Sequence, residues 1–491
     1  MRALVIDLNN FSRYPTLPVG LIVAVLRQHG IDVDVLSPLA RGVQGYPRLS
    51  RAKAYGLLAD RLSYWSAITR SDWVRRLRYQ AAQAMQPVAP QQRDAVLSYA
   101  REKLSRHPDV VLISAYTMHE DTCVALARLC RDHRVPVLVG GNYFVAGEIV
   151  ERWLRFDGVS AVFGGEPETV LPNLLADLVA GRDLRGYAGV SVPGSRASPP
   201  APPLAGLDQL PSPDYRDFPW DRYPNRIVPI MTGRGCEWGK CRFCGDVITS
   251  AGRTYRTRSL QNVLDEVRTQ RERHATSLFV FLDLKLNSNV ALWRGLIERL
   301  PEEAPGAAWT ASVHVDSRND NGLLRADLIS ARRAGLVRIT TGLETASRPL
   351  LKQMAKGTNP DRMAAFVRDA SEAGISVRMT AILGYPGEVA DDVDATNRFL
   401  GENQQWIERL MLNRFTLMPG TDADRRSLAS PGTLPGLRRG ALDPLRAVID
   451  HTNPTWASRD HRRAAYRLLE TVHRINRKPL SAQAQEFEGV M

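Results

Sequence analysis

Thr232-Gly-Arg-Gly-Cys236-Glu-Trp-Gly-Lys-Cys241-Arg-Phe-Cys244-Gly-Asp246 follows directly on the apolar run Ile227-Val-Pro-Ile-Met231. Such a run reads as a buried strand, so the cysteine loop leaves its carboxyl end, where barrels of parallel strands build their active sites. Three thiolates can each take one iron of a four-iron cubane and leave the fourth iron open, whereas an electron-transfer cluster normally takes a fourth thiolate. A structural zinc site wants four ligands, and the local sequence supplies no fourth Cys or nearby His. The chain has five cysteines. The other two, Cys123 and Cys130, fall on one face of a helical pattern and read as small buried apolar residues. No disulfide framework is present, and the cluster of three calls for a reducing compartment.

Outward from the loop, strand and helix patterns alternate at 227 to 231, 259 to 271, 278 to 283, 290 to 299, 338 to 342, 361 to 373, 376 to 383, 391 to 400 and 410 to 417. Parallel strands with helical returns fit a full or partial barrel. Several strand ends carry glycine beside an acid: Phe279-Val-Phe-Leu-Asp283, Thr340-Thr-Gly342-Leu-Glu344, Ala381-Ile-Leu-Gly384-Tyr-Pro386-Gly387-Glu388, and the exit Met418-Pro-Gly420-Thr421. Glycine there lets a flat ligand lie against backbone, and an acid accepts from an ammonium or a ribose hydroxyl. Taken singly, each is as readily a turn residue or surface acid. Their order after the cysteine loop makes them support one another.

The cysteine loop, with aromatic Phe243 before its last Cys, resembles that of the radical S-adenosylmethionine (radical SAM) superfamily, and the resemblance runs over roughly residues 226 to 422. It implies a 4Fe-4S cluster on Cys236, Cys241 and Cys244. It implies S-adenosylmethionine on the open iron, cleaved by one-electron reduction to a 5'-deoxyadenosyl radical and contacted by Phe243, Asp283, Glu344 and Gly384. Leu351-Lys-Gln-Met354-Ala-Lys356-Gly357 is the usual sequel of the Gly-x-Glu strand. One departure stands out: the usual spacing has three residues between the first two cysteines, and here Glu237 to Lys240 makes four.

The first part of the chain reads as a doubly wound parallel sheet, with strands at 3 to 7, 32 to 36, 110 to 114 and 135 to 139 and helices at 19 to 29 and 120 to 133. No Gly-x-Gly-x-x-Gly fingerprint and no phosphate loop follows the first strand, which weighs against nicotinamide, flavin and ATP. Val110-Val-Leu-Ile-Ser114-Ala-Tyr116, Val137-Leu-Val-Gly140-Gly141-Asn142 and Val162-Phe-Gly164-Gly165-Glu166-Pro-Glu168 together resemble the cobalamin-binding domain of one large branch of the superfamily. That resemblance implies cobalamin along Ser114, Tyr116, Gly140, Gly141, Asn142, Gly164, Gly165 and Glu166. The Asp-x-His-x-x-Gly motif of a lower axial His does not occur, which points to cobalamin without a protein His ligand. The loop Asn9-Asn-Phe-Ser-Arg13-Tyr14-Pro15 is expected to face the lower side of the cobalt.

The 491 residues, 44% of them apolar, suffice for more than one core. The expected organisation is an α/β chain: a cobalamin-type Rossmann-like domain over 1–195 with a helical insertion at 41–105, and a Pro- and Ser-rich linker at 196–225. A partial (β/α)6 radical SAM barrel over 226–422 and a helical C-terminal region at 423–491 follow, the last helix drawn over about 444 to 477. No apolar stretch approaches the ~18 residues of a membrane span, and Met1-Arg2 runs straight into a strand pattern, so a cytoplasmic location is expected. The net charge of +13 comes largely from arginines spread along the chain. It reads as solvated helix faces, and no aromatic-interleaved basic module makes nucleic acid an expected partner. The expected activity is cobalamin-dependent methyl transfer to an unactivated carbon or phosphorus centre of a small molecule or peptide, with a flavodoxin- or ferredoxin-type reductant. Radical cyclisation, rearrangement or alkyl transfer with the same cofactors is the second reading, and a redox relay or regulator without turnover the third.

Overall fold

The computed structural model describes residues 1–8, 13–43, 90–115, 119–246, 248–429 and 434–490, with a few positions between 62 and 77. Two parallel sheets organise the chain. The first has strands β1 (Arg2–Asp7), β2 (Asp32–Leu36), β3 (Val110–Ser114), β4 (Val137–Gly140), β5 (Ala161–Phe163) and β6 (Val190–Ser191), in the order β2-β1-β3-β4-β5-β6. All pair in parallel except β6, which closes the edge antiparallel to β5. Helices cover both faces, so β1 and β3 are apolar almost throughout rather than alternating. The helix Glu120–Asp132 turns Cys123, Leu126, Ala127 and Cys130 into the core and places Glu120 and Asp121 in its first turn, where the helix dipole favours acids. Of the insertion, the closing helix Pro90–Leu104 is described, and most of the remainder lies outside the described residues.

The second sheet runs β16-β15-β14-β13-β12-β7, built from β7 (Ile227–Ile230), β12 (Leu278–Phe281), β13 (Ala308–Val313), β14 (Leu336–Glu344), β15 (Ser376–Leu383) and β16 (Arg409–Arg414), all parallel. This is the expected six-strand partial barrel. It includes β13, whose sequence Ala-Trp-Thr-Ala-Ser-Val is too mixed to announce a strand, and the helix Arg325–Arg333 after it. Among the described residues no helix is long and apolar enough to cross a membrane.

The Pro-rich stretch between the halves is docked rather than slack. Tyr215 is fully buried and its hydroxyl donates to Pro229 O at 3.1 Å, while Gln270 Nε2 donates to Pro213 O at 2.6 Å. Gly20 in the first helix is required here, because a Cβ would stand 2.3 Å from the Tyr215 ring. The C-terminal region is helical as expected, but its main helix starts at Arg459, not near 444. Residues before it form an antiparallel hairpin, β17 (Arg438–Asp443) with β18 (Val448–Thr452). Pro454 interrupts the backbone donors a longer helix would need, and Val448-Ile449 favours a strand. The final residues plug the amino end of the barrel: Phe487 and Val490 pack with Ile227, Val280 and Val337, and buried Arg338 donates to the carbonyls of Ala484 (3.0 Å) and Phe487 (2.6 Å). The barrel therefore opens at the carboxyl ends of its strands.

Candidate active site

Beyond β7 the chain forms a short ribbon, β8 (Gly233–Gly235) antiparallel to β11 (Tyr255–Thr257), with the cysteine loop at its head and a smaller antiparallel pair, β9 (Ile248–Thr249) with β10 (Gly252–Arg253), between the two in sequence. Gly235 has φ +89°, and a Cβ there would stand 1.9 Å from Thr254 O, so only glycine permits this approach to β11. The loop is pinned on two sides. Trp238 Nε1 donates to Ala355 O (3.0 Å), while Arg242 donates from N to Met354 O (3.0 Å) and from Nη1 to Gln353 O (2.8 Å). Arg253 Nη2 reaches Cys241 O at 3.0 Å. Gly357, with φ +70°, seats the Trp238 ring where a Cβ would come within 2.0 Å of it. His314 holds the same segment through Nε2 and Lys356 O at 3.0 Å, and burial, with Lys356 and Lys285 beside it, pushes its pKa down to about 2, so the ring is neutral.

Cys236, Cys241 and Cys244 are unpaired and partly exposed. Burial raises the Cys241 thiol and pushes Cys244 up to about 12, and a bound cation is what draws such thiols into the thiolate form. Among the described residues no group of three His, Cys, Asp or Glu converges on a point as a single-ion site would. A cubane asks for something different, one thiolate per iron and hence three separated sulfurs. Three cysteines on one pinned loop, set at a barrel mouth beside Lys285 and Lys356, fit a cluster better than a lone ion.

Glu344 ends β14 at φ +60°, unusual for a residue with a side chain, where the β14–β15 register shifts. Its carboxylate is buried and takes Lys356 Nζ at 2.8 Å, with Thr380 Oγ1 at 3.5 Å. Gly342 leaves room for this fold-back: a Cβ there would meet the Glu344 carboxylate at 2.1 Å and Lys356 Nζ at 2.8 Å. Phe243 lies under the same ammonium, 5.9 Å from ring centroid to Nζ. Asp283 at the end of β12 faces the ribbon, accepting from Thr232 N (3.1 Å) and Oγ1 (2.7 Å); burial pushes its pKa up to about 6. Gly384 has φ +84°, donates its N–H to Glu388 Oε2 (2.6 Å) and accepts from Asn453 Nδ2 (2.8 Å). Glu388 in turn meets His461 Nε2 at 2.8 Å, so the C-terminal helix holds this turn.

Lys285 and His314 escaped the sequence reading. Lys285 was findable, two residues beyond Asp283. It is buried, donates to Val313 O at 3.3 Å, and burial followed by Lys356 lowers its pKa to about 8. His314 has no such signal, because β13 just before it is too mixed in sequence to read as a strand.

In the first sheet, Ser114, Gly140, Gly141 and Asn142 share the carboxyl edge, with Ala115 N donating to Gly140 O at 2.9 Å. A Cβ on Gly141 would stand 2.4 Å from Ala115 O. Tyr116 and most of the loop after β1 lie outside the described residues. Gly164 and Gly165 are packed against the backbone of Phe144 and Ala201. Glu166 is engaged elsewhere: Arg256 Nη1 and Nη2 bind its two oxygens at 2.8 Å each and Arg234 Nη1 lies at 3.0 Å, while Arg234 Nη2 takes Glu168 Oε1 at 2.5 Å. Both arginines belong to the ribbon below the cysteines, so the carboxyl edge of the first sheet meets the mouth of the barrel.

Residues 230–400 match the model of the radical SAM superfamily. A curated relative, an uncharacterised methyltransferase of Pyrococcus horikoshii, is 28% identical over 301 residues, 60% of this chain and 64% of that protein. The cytidylyl-2-hydroxyethylphosphonate methyltransferase of Streptomyces wedmorensis is 26% identical over 79% of this chain and 73% of its own length. The chain thus spans less than two thirds of the Pyrococcus relative. Among solved structures, the radical S-adenosylmethionine methyltransferase TsrM from Kitasatospora setae, with cobalamin and a 4Fe-4S cluster bound, superimposes with a TM-score of 0.63 over 91% of this chain and 84% of that one, at 18% identity. That likeness shows a shared fold.

Proposed function

We propose that this chain, whose residues 230–400 form a radical SAM domain, is a cobalamin-dependent radical methyltransferase acting on an unactivated carbon or phosphorus centre of a small molecule or peptide. The observation that carries the reading is the contact between the two halves: just beyond β5 of the first sheet, Glu166 and Glu168 meet Arg234 of the ribbon that carries Cys236. The methyltransferase names of both curated relatives support the transfer chemistry.

Cys236, Cys241 and Cys244 would hold the cluster, and the edge formed by Ser114 and Gly140 to Asn142 would take the corrinoid. When bound, these groups and S-adenosylmethionine supply a reducing electron, a carbon-centred radical and a methyl group. The chain itself binds, orients and excludes water. Glu344, fixed by Lys356 and by its own backbone, presents a carboxylate in one orientation to a cosubstrate ammonium or hydroxyl. Lys285, whose pKa burial and then Lys356 lower to about 8, holds a proton beside the cysteines. Tyr385, Phe415 and Leu417 form an apolar floor against Phe243, and Leu442 of the hairpin packs on both this cluster and the core of the first sheet, roofing the junction.

Anaerobic reconstitution with iron and sulfide, followed by S-adenosylmethionine, dithionite and methylcobalamin, tests the reading. Release of 5'-deoxyadenosine together with a retained corrinoid spectrum is expected, the former lost when Cys236, Cys241 and Cys244 are all changed to Ala. Deoxyadenosine without corrinoid would remove methyl transfer; neither would return the chain to the redox-relay reading.

A further inference from the structure

Glu166 and Glu168, just beyond β5, reach the ribbon at the barrel mouth. Arg234 and Arg256 are direct cross-strand partners on the ribbon, so their guanidiniums leave it side by side. Arg234 stands two residues before Cys236. The two acids and two arginines form a neutral set with every side chain less than one-fifth exposed. Burial alone would raise the Glu166 pKa, but Arg256 and Arg234 outweigh it and hold the carboxyl below its ordinary range. The same network catches the interdomain strap, Leu204 N donating to Glu166 Oε2 (2.9 Å) and Arg256 Nη1 to Leu204 O (2.8 Å). Buried, bidentate carboxylate–guanidinium contacts fix geometry more than they add stability.

We infer that Glu166 and Glu168 are positioning residues of the radical site: through Arg234 and Arg256 they fix the ribbon that carries Cys236. The turn after β5 is then part of the support of the cysteine loop, so disturbing the first sheet is felt at the cosubstrate without any change in the barrel. The inference rests on the proposed function, since it assigns the cysteine loop to a cluster that holds S-adenosylmethionine.

The test titrates S-adenosylmethionine into reconstituted, reduced protein and follows the electron paramagnetic resonance signal of the cluster. The Glu166→Gln/Glu168→Gln variant is expected to weaken S-adenosylmethionine binding about 10-fold, the low end of what groups orienting metal ligands contribute, or to lose iron with its circular dichroism unchanged. Glu120→Gln is the comparator. It breaks another acid–arginine pair, buried Glu120 with part-exposed Arg152 at 2.6 Å, away from the ribbon, and should lower the melting temperature while leaving binding within about 2-fold. Wild-type binding in the double variant, or equal weakening by Glu120→Gln, would overturn the inference. If the double variant does not fold, Glu168→Asp keeps the charge and withdraws it by one methylene; unchanged binding there would also overturn it. No cosubstrate-dependent signal in the wild type would instead sink the proposed function, and this inference with it.

Discussion

Replacing Lys356 by Met, Glu344 by Gln, and both together isolates the interaction on which the geometry of the barrel mouth depends. The two charges lie 2.8 Å apart with side chains 4% and 8% exposed. At an effective dielectric near 20 their attraction is about 6 kcal/mol, most of it offset by the cost of taking both groups out of water. Removing one partner leaves that cost unopposed in the other, so each single variant should lose about 3–5 kcal/mol. The double variant removes both charges and should cost less than the sum by about 2 kcal/mol. Urea unfolding of the apo chain reads this through the buried barrel tryptophans Trp293 and Trp309, whose rings pack edge-on at 5.8 Å. A second readout separates stability from function: Glu344→Gln should weaken S-adenosylmethionine binding even at low temperature, where all variants are folded. Single losses that add to within about 0.5 kcal/mol would refute the coupled-pair reasoning.

Two further outcomes follow from the same structure. Gly357→Ala forces a Cβ into the Trp238 ring at a left-handed backbone position, and should cost about 2–4 kcal/mol from overpacking and strain together, with the lost iron measured after reconstitution; full iron loading would contradict the role given to this saddle. Asp283 sets a pH dependence. Burial raises its pKa from 3.8 to about 6, so the folded chain binds this proton more tightly than the unfolded one. Its contribution is present below about pH 4 and is lost as pH rises toward about 6. Glu166 has the opposite sign, its depressed folded pKa giving stability above the unfolded value that is lost as pH falls. Asp283→Asn should therefore flatten the loss between about pH 4 and 6 in urea midpoints of the apo chain, and a slope that persists would assign it to another group.

What the sequence revealed and what it hid divide along contact distance. The cysteines sit within nine positions, and Gly342 and Glu344 within three, so ordinary pattern reading finds them. The support around them comes from far away: Glu168 reaches Arg234 across 66 positions and Glu166 reaches Arg256 across 90. Nothing local marks Glu166 as an arginine partner, and beside two glycines it reads as a residue lining a ligand. Its carboxylate meets Arg256 and Arg234 of the ribbon. β13 shows the same limit: its Thr, Ala and Ser need the flanking strands β12 and β14 to become a strand, and it leads into His314, whose ring meets Lys356 O.

That division bears on the extra residue between Cys236 and Cys241. A longer loop on a free ribbon would spread its positions and make a three-thiolate seat harder to hold. Here the ribbon is not free. Arg234 and Arg256 are held from the first sheet, Trp238 is seated on Gly357, and Arg242 is tied to the carbonyls of Gln353 and Met354. Trp238, between the first two cysteines, and Arg242, just after the second, both grip the segment 353 to 357, so the longer loop is held at two points. Deleting Gly239, which has a left-handed φ of +50° between those anchors, restores the usual spacing but leaves less chain to bridge them. It should lower iron loading rather than raise it. Equal or better loading in the deletion, measured as iron per chain after anaerobic reconstitution, would mean that the anchors follow the loop and do not set it.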